Sequence, residues 1–79
     1  MKIIIIIEKI NDELFKLRGF IPFDNTNVIR DIFKLISIED KTDDKCKTVA
    51  KAIAEKLNYP NLCEEYMITT NVFAYIFSR

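Results

Sequence analysis

Two thiols, Cys46 and Cys63, and no histidine anywhere in 79 residues bound the chemistry open to this chain. A papain-like cysteine nucleophile needs an imidazole base, so that mechanism is excluded. Two cysteines alone also fall short of a structural zinc site within one chain. Cys46 lies on an apolar stripe with Val49, Ala50, Ile53 and Leu57, the position of a small core residue. Cys63 falls in the first turn of a predicted helix, where the helix dipole lowers a thiol pKa, but no base accompanies it. No catalytic, metal-binding or cofactor-binding residue is assigned, and no small-molecule substrate is expected.

The charged and aromatic residues form three further groups. Glu39, Asp40, Asp43 and Asp44 cluster around a predicted loop. A calcium loop would need alternate oxygen ligands, a central glycine and a distal glutamate at set spacing. The glycine is missing and the spacing differs, so helix capping is the better account. Lys45, Lys47, Lys51 and Lys56 share one segment, with Lys47 and Lys51 on its outer face as candidate nucleic-acid contacts. Tyr66, Phe73, Tyr75 and Phe77 would suit stacking on single-stranded bases, but that role needs interleaved cations. The only cation after Lys56 is Arg79, which favours packing.

A helix-turn-helix is legible within 48–67, from Ala54, Asn58 and Tyr59. Against it, Glu64 and Glu65 would face phosphate with the wrong sign, and Pro60 occupies the turn.

Composition narrows the classes. Twelve Lys/Arg balance twelve Asp/Glu, and neither half carries a charge excess that would draw nucleic acid non-specifically. Apolar residues make up 49%, enough for one small core, while a single glycine and two prolines disfavour phosphate loops and long linkers. The apolar run Ile3–Ile7 is too short for a signal peptide or for a membrane helix of about 20 residues. A cytoplasmic protein with reduced thiols is expected.

Four elements must hold these residues. Ile3, Ile7, Ile10, Leu14 and Leu17 recur at spacings of 4, 3, 4 and 3, which predicts a helix over 3–18 stopped by Gly19. The rival is a β-branched strand at 3–7 followed by a short helix. Residues 20–24 read as a loop around Pro22. Val28, Ile29, Ile32, Phe33 and Ile36 predict a helix over 26–37. A third helix, 43–57, is capped by Thr42 with Asp43 and Asp44 in its first turn, and ends at Asn58 and Pro60. Asn61 with Glu64 resembles a capping box, which predicts a fourth helix over 62–77, apolar nearly all round. The rival there is a hairpin, Tyr66–Thr69 and Val72–Phe77, turning at Thr70 and Asn71 without the usual glycine.

The expectation is one all-α domain, a compact four-helix bundle over residues 1–79. The alternative is α+β, with a terminal strand or a winged-helix-like C-terminal hairpin. Both apolar ends must be buried, against each other or against a partner. The functional expectation is a non-enzymatic protein-interaction or regulatory module. It would act as a homodimer that also binds another protein, with Tyr66, Val72, Phe73, Ile76 and Phe77 as interface. An Ile-, Lys- and Asn-rich chain of this size is compatible with a phage or mobile-element accessory protein that inhibits by occluding a surface. The alternative is a DNA-binding regulator of helix-turn-helix or winged-helix type.

Overall fold

The computed structural model describes residues 1–24, 31, 32, 35 and 43–79. Strands β1 (Lys2–Lys9) and β2 (Phe15–Phe23) form a hairpin, followed by helix α1 (Asp44–Lys56). Strands β3 (Asn61–Thr69) and β4 (Val72–Ser78) form a second hairpin. All four strands join one antiparallel sheet in the order β2-β1-β4-β3. The two ends of the chain are therefore the two central strands, hydrogen-bonded to each other from Lys2 opposite Ser78 to Glu8 opposite Val72. The apolar termini bury each other.

This architecture overturns the all-α four-helix bundle. Residues 3–18 and 62–77 are strands and turns, not helices, and the α+β alternative is closer. The β-branched run Ile3–Ile7 loses side-chain freedom in a helix and packs well on a pleated surface. Gly19 lies inside β2 rather than at a helix end, and Pro22 continues that strand. Asn61 opens β3 instead of capping a helix. Of the predicted helix 26–37, only Asp31, Ile32 and Leu35 are described; these are helical, and the rest lies outside the described residues.

The turns explain how two hairpins form without glycine. In the first, the Asn11 side chain accepts from the backbone N–H groups of Glu13 and Leu14, both at 2.9 Å, an Asx turn. In the second, Thr69 Oγ1 accepts from Asn71 N at 3.2 Å and Val72 N at 3.1 Å. A register shift next to it, between Met67 and Thr69, adds the local twist that a turn without positive φ lacks.

Helix α1 lies over β1 and β4. It buries Cys46, Ala50 and Ala54 against Ile3, Ile5, Ile7, Phe73, Tyr75 and Phe77. Small residues on the helix let it sit close to the large side chains of the sheet. A smaller cluster, Ile4, Tyr66, Ala74 and Ile76, occupies the opposite face with Ile6, Phe23 and Ile68 packed against it. Both central strands are thus buried on both faces.

The helix ends as its sequence requires. Asp43, one residue beyond the expected Thr42, is the N-cap, accepting from Lys45 N and Cys46 N. At the other end Asn58 adopts φ 66°, the left-handed conformation. Asn58 N donates to Glu55 O at 3.1 Å and Tyr59 N to Ala54 O at 2.9 Å, a complete Schellman motif. Tyr59 and Ala54 are both buried in the same cluster, the apolar contact that accompanies this cap.

Candidate interaction surface

Two places concentrate side chains that are not simply core. The first is polar and centres on Asp43. Its Oδ1 caps α1, its Oδ2 accepts from Lys9 Nζ at 2.7 Å, and its carbonyl accepts from Lys47 N at 3.0 Å and Tyr75 Oη at 3.3 Å. Lys9 also pairs with Asp12 at 3.3 Å. The Lys9 hydrogen bond, then the Cys46 backbone amide, hold the Asp43 carboxyl below the usual carboxylate range. The bonds from Asp43 and then Asp12 raise the Lys9 ammonium above its ordinary value. Beneath the cap, burial pushes the Cys46 thiol up to about 11, which keeps it protonated and inert at neutral pH. Asp43 thus joins α1 to β1 through its carboxylate and to β4 through its carbonyl, Lys9 carries the link on to Asp12 in the first hairpin turn, and every group in the cluster has a structural partner.

The second place is the outer side of the first hairpin. Ile10, Leu14, Leu17, Phe20 and Ile21 are between 42% and 54% exposed. Leu17 and Phe20 share the face that α1 covers elsewhere, but α1 lies over β1 and β4, and of β2 it is Phe15 that packs against that core. Ile21 lies on the opposite face. The other edge strand, β3, differs: it carries Cys63, Glu64 and Glu65, and Lys47 pairs with Glu65 at 3.3 Å. The sheet therefore has one apolar edge and one charged edge.

Sequence reasoning placed the interface elsewhere. Phe73, Ile76 and Phe77 are at most 3% exposed and Tyr66 is 9% exposed; all four belong to the internal clusters, and Val72 is half-buried. Lys47 is held toward β3 by Glu65, while Lys51 is exposed, so the two do not act together on one open face. The segment 62–77 that would supply a recognition helix is the β3–β4 hairpin. Tyr59, the expected turn anchor, is 6% exposed and lies under the Arg79 guanidinium, 5.0 Å from the ring centroid. Glu39 and Asp40 lie outside the described residues. The exposed apolar residues were missed because Leu14 and Leu17 fit a helical stripe and so read as core.

Among the described residues no group of three or more His, Cys, Asp or Glu side chains is placed to hold a metal ion, and no helix is long and apolar enough to cross a membrane. No family model matches the chain, and neither a curated protein nor a solved structure is similar to it.

Proposed function

We propose that this chain is a small non-enzymatic protein-interaction module that works as a homodimer, with the outer side of the β1–β2 hairpin as its contact surface. The observation that carries the reading is the run of half-exposed apolar side chains from Ile10 to Ile21 on a single hairpin. Leu17 and Phe20 share one face of that hairpin, and neighbouring exposed apolar side chains mark interaction sites more often than scattered single residues do. A domain of this size also has little surplus stability from its own core, and association supplies more.

The experiment is sedimentation or fluorescence polarisation of the labelled chain between about 0.05 and 1 M salt. An apolar contact holds or strengthens as salt rises. Self-association that dissolves at high salt would assign the contact to charged groups and overturn the reading. Duplex DNA is added in the low-salt arm. Tight binding that is lost in the Lys47→Glu, Lys51→Glu double variant would replace this function with nucleic-acid recognition.

A further inference from the structure

We infer that two copies of this chain pair antiparallel through the edge of β2 that no described strand occupies, in one register that sets Leu17 opposite Phe20 of the second copy. This deepens the homodimer reading above and rests on it.

The argument begins with which backbone groups of β2 face outward. Lys9 N donates to Asn71 O at 2.7 Å, so odd-numbered β1 residues direct their N–H and C=O groups toward β4, and even-numbered ones toward β2. The β2 residues opposite Glu8, Ile6, Ile4 and Lys2 are Lys16, Gly19, Ile21 and Phe23, and these bond inward. Those opposite Lys9, Ile7, Ile5 and Ile3 are Phe15, Leu17, Phe20 and Pro22. Their polar backbone groups point away from the sheet, and the missing N–H of Pro22 falls on that open edge.

The register shift between Ile6 and Ile7 leaves no β1 residue directly opposite Arg18, whose guanidinium reaches Glu8 of β1 at 3.3 Å. It makes the outward residues 15, 17, 20 and 22 unevenly spaced, by 2, 3 and 2 positions. That spacing reads the same in both directions. An antiparallel second copy can match all four only when Leu17 faces Phe20, Phe20 faces Leu17, and Phe15 and Pro22 face each other. Every other offset sets an outward residue against an inward one or drops off the strand. A bulge, a proline and cations usually protect a sheet edge from pairing. Here the bulge, through the uneven spacing it creates, blocks the other registers and leaves this one open, while Pro22 withholds one N–H from the pairing at each end, opposite Phe15.

The side chains agree with the backbone. Leu17 and Phe20, 42% and 50% exposed, would meet their symmetry mates on one face of the joined sheet, in the space α1 leaves open. On the other face Lys16 would lie opposite Ile21, and Arg18 opposite Gly19. Gly19 has no positive φ, and a Cβ there would meet nothing within 4 Å, so neither its own backbone nor its own packing calls for glycine. A glycine within a strand accompanies a bulge, as here beside Arg18, or a close approach by another chain, and in this pairing Gly19 leaves room for Arg18 of the second copy.

The test uses the full chain. Light scattering over a concentration series is expected to give twice the 9.3 kDa chain mass, falling to 9.3 kDa in Leu17→Glu and in Phe20→Glu, with circular dichroism unchanged. In a Cys63→Ser background, Leu17→Cys and Phe20→Cys variants are expected to form a covalent dimer when mixed and oxidised, and neither alone. A dimer that survives Phe20→Glu and gives no mixed cross-link overturns this pairing while leaving self-association in place at another surface. A mass of 9.3 kDa throughout overturns both the pairing and the homodimer, and leaves β2 to a strand of a different protein.

Discussion

The Lys9 ammonium lies 2.7 Å from the Asp43 carboxylate, joining the last residue of β1 to the N-cap of α1 across 34 positions of sequence. The contact is partly shielded, with the two side chains 21% and 24% exposed. It ties the N-terminal end of the helix to the sheet.

Acid should loosen this tie. Asp43 is held below the usual carboxylate range in the folded chain, so its contribution is fully present above the unfolded carboxylate pKa and is lost as pH falls through the lower folded value. Thermal stability is therefore expected to drop below about pH 4. Asp43→Asn keeps a good cap but removes the charge, so it should be less stable at pH 7 and show a shallower acid slope. Asp43→Ala also loses the cap and should cost about 0.5–2 kcal/mol for that alone. Lys9 has the opposite sense: its pKa is raised, so its contribution is present below the unfolded lysine pKa and is lost at higher pH. Thermal melts of the three proteins from pH 7 to pH 2 check this, and parallel curves for the native chain and Asp43→Asn would contradict it.

The two thiols should separate cleanly by reactivity. Cys46 is fully buried and pushed up to about 11 by desolvation, with the nearby Asp43 charge adding to it. Cys63 is exposed on β3. A thiol reagent at neutral pH is expected to titrate Cys63 alone in the native protein and both cysteines in denaturant. Rapid modification of Cys46 in the native state would mean that α1 opens from the sheet far more readily than its packing implies.

The helix α1 was legible because each of its signals is local. Its stripe of Cys46, Val49, Ala50, Ile53 and Leu57 faces one layer only, and its ends carry local signals, Asp43 as N-cap one residue past the expected Thr42 and Asn58 just beyond the C-cap Leu57. The terminal strands were not, because both are covered on two faces. A strand buried on one side alternates, but Ile3–Ile7 and Phe73–Phe77 have no polar side to show, so periodicity cannot separate them from a buried helix. The chance spacing of Ile3, Ile7, Ile10, Leu14 and Leu17 then imitated a helical face running through a turn. The glycine-free Thr70–Asn71 turn counted against the hairpin, and what rescues it is the Thr69 hydroxyl. The apolar edge at β2 is hidden by the same coincidence, since Leu17 falls on that apparent helical stripe.

The C-terminal cap of α1 offers a test of backbone strain. Asn58 sits at φ 66°, where a β-carbon is strained and asparagine is better tolerated than most residues. Asn58→Gly should raise stability slightly or leave it unchanged, whereas Asn58→Val should lower it by about 1–2 kcal/mol. Chemical denaturation of both variants measures the difference. Equal midpoints would mean that the Tyr59–Ala54 contact alone fixes this end of the helix.

Adjacent substitutions along β1 and β2 distinguish a strand covered on both sides from an edge. Ile4 and Ile5 point to opposite faces of β1, yet they are 2% and 0% exposed. Each truncation to alanine should therefore cost about 2–5 kcal/mol, with no alternation between the two. Phe20 and Ile21 are also neighbours on opposite faces, but they are 50% and 53% exposed. In dilute protein, below the range of self-association, their truncation should cost less than about 1 kcal/mol each. Urea unfolding of the four variants at low concentration reads these values directly. A strong alternation within β1 would show that one of its faces is open to solvent, and a large loss at Phe20 in the dilute chain would place β2 in the core and remove its edge from service.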